Sequence, residues 1–275
     1  MQNAGIAALN LNWRYLAFEV HPDRLREAID GARVMGFIGL NLTVPHKLLA
    51  VEIVDVLDDS ARSYGAVNTV RFECRNQQGD WVPVGVIQDL PHEVRAHGFN
   101  TDADAITRAL RHDLNLEVAG ARVLVLGIGG AGRTAALKLA ADGVNELFLV
   151  NRTLSKAEEV GKEIRRRWPK VKLSLEYPKG AVDLMLNATS LGLKSNDPLP
   201  FDAKQLSLDG VAAVYDMIYR PAETPLLAAA KRAGCRVANG LGMLLYQGAK
   251  ALELWTGRPA PLEVMRQALE QNVYA

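Results

Sequence analysis

The chain has 275 residues, of which 49% are hydrophobic and 23% are charged, a composition typical of one large or two ordinary globular domains. Its 32 Lys and Arg residues against 31 Asp and Glu residues leave a net charge of +1, which excludes a general attraction to nucleic acid or to an anionic membrane. The only two cysteines, Cys74 and Cys235, exclude a disulfide framework, and the lack of a Cys/His cluster argues against a metal site.

The sequence also lacks the features that direct a protein out of the cytoplasm. Its N-terminus has no basic segment followed by a long apolar segment, and no uninterrupted apolar run reaches about 18 residues. We therefore expect a cytoplasmic protein. The basic stretch 162–172 is interpreted as a solvated helix end rather than a nucleic-acid site.

The N-terminal part of the chain predicts short elements separated by turns. Helices are expected over 2–12, 22–35, 48–57 and 59–64, and strands over 13–20, 37–44, 66–73 and 81–87. Residues 76–80 predict a turn and residues 90–97 a polar excursion without regular structure.

Strands and helices alternate more regularly after residue 102. Helices are expected over 103–112, 133–143, 155–167, 224–233, 242–256 and 261–271, and strands over 123–127, 146–150, 171–175, 182–187, 211–215 and 236–238. This alternation predicts an α/β fold with parallel sheets in two α/β domains. We expect one domain over 1–101 and 240–275, with the C-terminal helices returning to it, and a second over 102–239.

The second domain opens with the signature of a dinucleotide-binding fold. A glycine-rich turn, Gly127-Ile128-Gly129-Gly130-Ala131-Gly132, joins an apolar strand to a helix, and a second apolar strand follows. Gly127 permits a tight turn, Gly129 lets the backbone approach a pyrophosphate, and Gly132 allows close helix–strand packing. The free N–H groups of the helix N-terminus favour phosphate. The order strand, glycine turn, helix, strand predicts a Rossmann-type domain.

The end of the second strand indicates which dinucleotide is bound. An NAD site places Asp or Glu about 20 residues beyond the glycines, where it accepts from the ribose 2′-hydroxyl. This chain has Asn151 and Arg152 at that place, with Thr153 and Lys156 just behind. Cations without a carboxylate suit a 2′-phosphate, which predicts NADP rather than NAD.

Polar residues at strand ends of the first domain are candidates for proton transfer. Reduction of a ketone by NADPH requires a proton donor, and a lysine placed against Asp102 would form a polarised pair able to relay a proton. Thr43 and Asn68 are suited to binding hydroxyls. Taken alone, Lys47 is more often a surface lysine at a helix start, and the triplet before Asp102 is more often a helix cap.

These motifs together resemble the shikimate dehydrogenase family of NADP oxidoreductases and its quinate-using relatives. The matching segments are N-x-T-x-P-x-K at 41–47, GAVNT at 65–69, NTD at 100–102, GIGGA at 127–131, NRT at 151–153, NATS at 187–190, YDMIYRPxxTP at 215–225 and NGLGMLLYQ at 239–247.

The resemblance implies a role for each matching position. Lys47 is implied as the acid–base residue with Asp102 as its partner, and Thr43, Asn68, Tyr219 and Gln247 are implied as substrate contacts. The implied NADP contacts are Gly127, Gly129, Gly130, Ala131, Asn151, Arg152, Thr153, Lys156, Thr189, Ser190, Met217 and Gly240. Because Lys156 lacks the bidentate fork of the arginine usual in the family, the preference for NADP over NAD is expected to be softer.

The chain departs from the family pattern in two places. Family members begin with a strand and an S-x-S-x-S-P loop whose serines bind the substrate carboxylate, whereas this sequence begins with the helix after that loop. We therefore expect an incomplete first sheet and a carboxylate anchor that is lost or supplied by other groups. The segment 75–97 is longer than usual and is expected to extend a sheet edge or to cover the gap.

The expected reaction is the interconversion of 3-dehydroshikimate and shikimate with NADP, by a monomer or homodimer that binds neither nucleic acid nor membrane. Two alternatives remain. One is a quinate or aminoshikimate-type dehydrogenase with relaxed specificity. The other is a cofactor-binding homologue with little activity because the carboxylate loop is missing. The joint presence of five residues argues against it: Lys47, Asn68, Asp102, Tyr219 and Gln247.

Overall fold

A computed structural model of the protein describes residues 1–87 and 93–274. The chain divides into two compact units, of which the first comprises Met1–Asp102 and Leu245–Glu270. The second comprises Ala103–Leu244 together with the last residues from Gln271 onward.

The first unit is built on a five-stranded sheet. Its strands are β1 (Gly39–Asn41), β2 (Val56–Leu57), β3 (Thr69–Arg75), β4 (Trp81–Pro83) and β5 (Val94–Phe99), and its helices include α1 (Gln2–Ala8), α2 (Leu25–Val34), α3 (His46–Leu49) and α4 (Asp59–Tyr64). The strand order is β1-β3-β5-β2, with β4 also paired to β3. Among the strand pairs of the described residues in this unit, β2 with β5 alone is parallel, so the expectation of parallel sheets is wrong here. The turn at 76–80 returns the chain alongside β3, which makes the β3–β4 pair an antiparallel hairpin.

One face of this sheet packs on α2 and α4. Val70 and Phe72 of β3 are fully buried, as are Ile29 of α2 and Ala61 of α4. Cys74 belongs to the same core and is a free thiol, and burial raises its pKa.

The segment 13–20 is not a strand, contrary to the prediction from its alternating pattern. The backbone N–H of Tyr15 donates to Oδ1 of Asn3 over 2.7 Å, and its carbonyl accepts from Asn3 Nδ2 over 2.9 Å. The backbone of Tyr15 therefore bonds to a side chain rather than to a neighbouring strand. Leu16 and Phe18 remain 65% and 63% exposed.

Several other short elements differ from their predicted bounds. The helix expected over 48–57 is wrong in its second half, where the chain passes through a 3₁₀ turn at Ala50–Glu52 into β2. The apolar residues there are compatible with either a helix or a strand. Val56 and Leu57 form a strand because they pair in parallel with His97 and Gly98. The predicted helix over 2–12 ends at Ala8, and the predicted strand over 37–44 shortens to β1.

The long segment 75–97 joins the sheet through its described residues. The predicted turn at 76–80 is present, and β4 pairs with β3 from Glu73 to Arg75, so this stretch extends the edge that β1 occupies. The strand expected over 81–87 stops at Pro83 and gives way to a 3₁₀ turn. Of the polar excursion expected at 90–97, residues 90–92 lie outside the described residues, and residues 94–97 are strand because β3 supplies their hydrogen bonds.

The second unit contains a six-stranded, wholly parallel sheet. Its strands are β6 (Arg122–Leu126), β7 (Glu146–Val150), β8 (Lys172–Ser174), β9 (Leu184–Asn187), β10 (Ala213–Asp216) and β11 (Arg236–Asn239), in the order β11-β10-β9-β6-β7-β8. Its helices are α5 (Asp102–Leu114, whose first residue belongs to the first unit), α6 (Gly130–Ala141), α7 (Leu154–Arg167) and α8 (Pro225–Arg232). The predicted parallel Rossmann-type sheet is confirmed.

The remaining helices are α9 (Leu241–Thr256) and α10 (Leu262–Val273). Most of both helices belongs to the first unit, as expected for C-terminal helices that return to it. Trp255 of α9 donates to the carbonyl of Val70 on β3 over 2.9 Å, which fixes α9 on the second face of the sheet.

Candidate active site and dinucleotide site

Lys47 and Asp102 form an ion pair in the first unit. Lys47 lies in α3, which begins directly after Pro45, and its Nζ donates to Oδ2 of Asp102 over 2.8 Å. The side chains are 29% and 11% exposed, so the pair is largely shielded while the ammonium keeps access to solvent. A shielded ammonium beside a carboxylate can deliver and recover a proton, which is the chemistry predicted for this pair.

Asn68 holds the carboxylate of that pair. Its Nδ2 donates to Oδ1 of Asp102 and to Oγ1 of Thr101, each over 2.9 Å. Its Oδ1 accepts from the backbone N–H of Thr101 over 2.8 Å. Asn68 is only 2% exposed. The geometry gives Asn68 a positioning role toward Asp102, in addition to the substrate contact that the sequence predicts.

A second layer of polar side chains extends from Asn68 to Tyr15. Asn41 Nδ2 donates to Oγ1 of Thr69 over 3.0 Å, and the Tyr15 hydroxyl donates to Oδ1 of Asn41 over 3.1 Å. Thr69 and Thr101 hydroxyls lie 3.3 Å apart. Burial raises the pKa of Tyr15. None of these four residues was predicted from the sequence as a site residue, although Asn41, Thr69 and Thr101 lie within the motifs that contain predicted site residues.

The other predicted substrate contacts are not joined to this pair by the hydrogen bonds described above. Thr43 is exposed beyond β1, and its carbonyl accepts from the N–H of His46 over 2.8 Å. Gln247 is half-buried on α9, in the same compact unit as Lys47. Tyr219 follows β10 in the second unit and is 39% exposed. His46 bonds through Nε2 to the carbonyl of Val20 over 2.9 Å, a structural contact.

The glycine turn of the second unit has the shape that a pyrophosphate requires. A Cβ on Gly132 would lie 1.9 Å from the carbonyl oxygen of Gly127, so only glycine lets α6 approach the strand. Gly127 itself has φ +86°. Nothing lies within 4 Å of a Cβ built on Gly129 or Gly130, so the backbone there is open to a ligand. Because Gly129 caps α6 without a side-chain hydrogen bond, the first-turn N–H groups remain available for phosphate.

The end of β7 presents a cationic surface. Asn151 accepts from the N–H of Ile128 over 2.9 Å and donates to the carbonyl of Thr153 over 2.7 Å, which fastens this end to the glycine turn. Arg152 and Lys156 are exposed, and neither takes part in an ion pair within 1–87 and 93–274. Two uncommitted cations near an open glycine turn fit the 2′-phosphate of NADP.

A buried polar cluster connects the loops that follow β9 and β10. Oδ1 of Asp216 accepts from Asn187 Nδ2 over 2.9 Å and from the N–H of Ile218 over 3.1 Å, and Oδ2 accepts from the Thr224 hydroxyl over 2.6 Å. Asn187 in turn accepts from the N–H and the hydroxyl of Thr189. The pKa of Asp216 is raised, because burial raises it by more than the three hydrogen-bond donors lower it. No role for Asp216 or Thr224 was predicted from the sequence.

The same loops carry the remaining predicted cofactor residues. A Cβ on Gly240 would lie 2.1 Å from the carbonyl oxygen of Met217, so the ends of β10 and β11 touch at this point. The methyl group of Thr189 would lie 2.7 Å from a Cβ on Gly127, which brings the loop after β9 against the glycine turn. Ser190 is exposed beside it.

Among the described residues, no group of three or more His, Cys, Asp or Glu side chains is placed to hold a metal ion. No helix in the same part of the chain is long and apolar enough to cross a membrane.

A glycine turn at the carboxyl end of a central parallel strand, with cations at the next strand, defines the class of dinucleotide-binding Rossmann proteins. Comparison with known proteins identifies the family. Three family models match successive parts of the chain: the shikimate dehydrogenase substrate binding domain over 1–70, shikimate / quinate 5-dehydrogenase over 109–190, and the shikimate 5′-dehydrogenase C-terminal domain over 240–270.

Whole-chain similarity agrees with these matches. The chain is 38% identical to the NADP(+) shikimate dehydrogenase of Methanopyrus kandleri, across 99% of this chain and 90% of that protein. A shikimate dehydrogenase solved with NADP+ superposes with a TM-score of 0.83 at 34% identity, covering 99% of this chain and 90% of the other. The chain therefore belongs to the shikimate dehydrogenase family.

A protein with a different activity has a similar structure. The 5-ketofructose reductase of a Gluconobacter strain superposes with a TM-score of 0.80 at 32% identity, covering 98% of this chain and 92% of the other. Since this fold also serves a different keto substrate, the substrate has to be argued from the site.

Proposed function

We propose that the protein is an NADP-dependent oxidoreductase that interconverts 3-dehydroshikimate and shikimate. The observation that carries this proposal is the Lys47–Asp102 pair at 2.8 Å, held by Asn68 in a largely shielded environment. The choice of substrate is supported by whole-length similarity to proteins named for shikimate and NADP(+).

Lys47 is the acid that protonates the carbonyl oxygen as the ketone is reduced. The Nζ proton passes to the developing alkoxide, and the neutral amine is then reprotonated from solvent, to which the side chain is 29% exposed. In the oxidation direction the amine accepts the hydroxyl proton. Asp102 keeps the ammonium oriented through Oδ2, while Asn68 fixes the carboxylate through Oδ1.

NADPH, when bound, supplies the hydride that reduces the carbonyl carbon. The open backbone at Gly129, Gly130 and Ala131 would receive the pyrophosphate. Arg152, Thr153 and Lys156 would receive the 2′-phosphate, with Asn151 holding their strand end against the glycine turn. The loops that carry Thr189, Ser190, Met217 and Gly240 would line the nicotinamide half.

Further substrate contacts are part of the proposal. Thr43, Asn68, Tyr219 and Gln247 would bind the hydroxyl and carboxylate groups of the substrate. The substrate domain would comprise 1–101 with 240–275 and the NADP domain 102–239, a division supported by two compact units with similar bounds. The protein would act in the cytoplasm, within aromatic amino-acid biosynthesis through the chorismate pathway, as a monomer or homodimer that does not bind nucleic acid. The net charge of +1 supports this last point.

The test is steady-state kinetics with purified full-length protein. Reduction of NADP+ is followed with shikimate and with quinate, NAD+ is run in parallel, and 5-ketofructose is offered with NADPH as a contrasting keto substrate. Saturable reduction of NADP+ by shikimate, at a higher kcat/KM than with quinate, is the expected result. NADP+ binding without turnover of any of the three substrates would contradict the proposal and favour a cofactor-binding homologue.

A further inference from the structure

Asp216 is a buried acid that takes no part in the proton transfer proposed above. Its side chain is fully buried, and each of the three groups that contact its oxygens donates a hydrogen bond. Burial raises the pKa of Asp216, and the donors on both oxygens oppose that rise by stabilising the carboxylate form. Its side-chain partners Asn187 and Thr224 are neutral, and none of the ion pairs in the described part of the chain includes Asp216. The charge is therefore solvated by the protein but not neutralised by a cation.

The order of the strands places this carboxylate beneath the nicotinamide half of a dinucleotide. A dinucleotide on a doubly wound sheet spans the carboxyl ends of the strands on either side of the glycine turn. Arg152 lies just beyond the end of β7, so the adenosine half would lie over β7. The nicotinamide half would then lie on the other side of β6, over β9 and β10. Asp216 ends β10, two strands from β6, which is about 10 Å at the usual strand spacing.

The two redox forms of the cofactor differ in charge at the nicotinamide ring. The ring is cationic in NADP+ and neutral in NADPH, because hydride transfer neutralises it. A nearby anion without a cation partner attracts the cationic ring of NADP+ but not the neutral ring of NADPH. We propose that Asp216 favours binding of NADP+ over NADPH through the charge of its buried carboxylate, a role that rests on the proposed use of NADP.

The size of the effect follows from Coulomb attraction. For a separation of about 10 Å between the carboxylate and the ring, and an effective dielectric constant between about 20 and 40, the attraction would change a dissociation constant by about 4- to 16-fold. Neutralising Asp216 is expected to raise the ratio of the Kd for NADP+ to the Kd for NADPH by a factor in this range.

The decisive variant is Asp216→Asn, which has nearly the same shape. Its Oδ1 can accept from Asn187 and from the N–H of Ile218, and its amide nitrogen can donate to the Thr224 hydroxyl. The full-length protein is titrated with NADPH by fluorescence and with NADP+ by calorimetry at pH 8, and the two dissociation constants are compared. Asp216→Ser is a second neutral variant for the case in which the asparagine variant does not fold.

Two matched variants disturb the same cluster without removing the charge. Thr224→Val deletes the hydrogen bond to Oδ2, and Asp216→Glu keeps a carboxylate in an altered position. Each is expected to weaken the two forms of the cofactor by the same factor, which leaves their ratio unchanged. If Asp216 acted only by shaping the loops, every variant would leave the ratio of the two dissociation constants unchanged.

The outcomes separate the inference from the proposed function. If the ratio rises only in the neutral variants, the inference holds. If Asp216→Asn and Asp216→Ser leave the ratio within twofold of the unsubstituted protein, or if Thr224→Val raises it equally, the inference is wrong. If the unsubstituted protein binds neither NADP+ nor NADPH, the proposed function itself fails.

Discussion

The side chain of Asn68 donates to one carboxylate oxygen of Asp102 over 2.9 Å, while Lys47 donates to the other over 2.8 Å. The two donors hold the carboxylate from opposite ends, so its plane and its distance from the ammonium are both fixed. Because Asn68 also accepts from the N–H of Thr101, the asparagine couples the start of β3 to the start of α5.

Removal of the Asn68 amide is expected to reduce both stability and turnover. Asn68→Ala leaves the buried N–H of Thr101 without its acceptor, which is expected to cost about 1–3 kcal/mol of unfolding free energy. Asn68→Asp restores that acceptor but faces Asp102 with a second carboxylate, so we expect a slow enzyme with a displaced pH–rate profile. Urea unfolding and kcat measured across pH provide the check. An Asn68→Asp enzyme with unchanged rate and profile would contradict the positioning role.

Loss of the Lys47 ammonium is expected to affect chemistry and not cofactor binding. Lys47→Ala should lower kcat by about 10²- to 10⁴-fold, the usual contribution of a positioned acid, and leave the Kd for NADP+ unchanged. Lys47→Arg keeps a cation beside Asp102 but does not release its proton, so it is expected to be similarly slow. The exposed Lys204 supplies the control, since Lys204→Ala should retain full activity. Normal turnover in Lys47→Ala would refute the assignment.

Arg152 is expected to control the choice between NADP+ and NAD+. Loss of a charge-assisted contact worth about 1.5–3 kcal/mol should raise the Kd for NADP+ by about 10- to 150-fold in Arg152→Ala, without changing the Kd for NAD+. Lys156→Arg is expected to tighten NADP+ alone, because arginine can bind the phosphate with two donors. Calorimetric titrations with both cofactors measure these effects, with exposed Arg232→Ala as control. An equal loss for both cofactors would place Arg152 away from the 2′-phosphate.

Substitution of two glycines of the same turn is expected to have different effects, one on cofactor binding and the other on stability. A Cβ at position 129 meets nothing within 4 Å, so Gly129→Ala should fold normally but obstruct the pyrophosphate and weaken NADP+ by at least about tenfold. A Cβ at position 132 would lie 1.9 Å from the Gly127 carbonyl oxygen, so Gly132→Ala should unfold at a lower temperature. Thermal melts and cofactor titrations distinguish the two cases. Unimpaired binding in Gly129→Ala would argue against the phosphate site.

Glu73 is expected to make stability depend on acidic pH. Burial alone would raise the pKa of this carboxyl, but hydrogen bonds from His97, Arg71 and Arg95 outweigh it and lower the pKa from 4.5 to about 2. A pKa that is lower in the folded than in the unfolded state stabilises the fold above pH 4.5, and this contribution disappears as the pH falls toward about 2. Its size at neutral pH is about 3 kcal/mol.

The corresponding experiment compares Glu73→Gln with the unsubstituted protein by urea unfolding between pH 2 and pH 7, the range set by the folded-state pKa of about 2. The two stabilities should differ by about 3 kcal/mol at neutral pH and converge at the acidic end. Glu117 also pairs with an arginine but is exposed, so Glu117→Gln should change stability little at any pH. A gap that stays constant with pH would show that the Glu73 contribution is not ionic.

The sequence predicted the second unit better than the first. The inner strands β6, β7 and β9 of the parallel sheet are largely buried and read as apolar runs, so each could be recognised by itself. In the first unit β1 and β2 have three and two residues, and they are strands because a partner lies beside them. Segment 13–20 shows the converse, since its alternating pattern has no paired strand among the described residues.

Site residues could be predicted from the sequence where a motif contains a side chain of known chemistry. The pairing of Lys47 with Asp102 followed from the residue types and the family pattern. The supporting network did not, because Asn41, Thr69 and Thr101 meet only when three separate segments fold together. Asp216 was missed for a related reason: an acid at the end of a strand usually reads as solvated, and its burial depends on packing by neighbouring loops.

The two free thiols provide one internal reporter for each compact unit. Cys74 lies in the core of the first unit and Cys235 in that of the second, and burial raises the pKa of both thiols. A thiol-alkylating reagent can reach either sulfur only after the surrounding structure opens. The labelling rates of the two cysteines, followed separately by mass spectrometry, would therefore measure how often each unit opens and whether NADP+ slows only the unit that binds it.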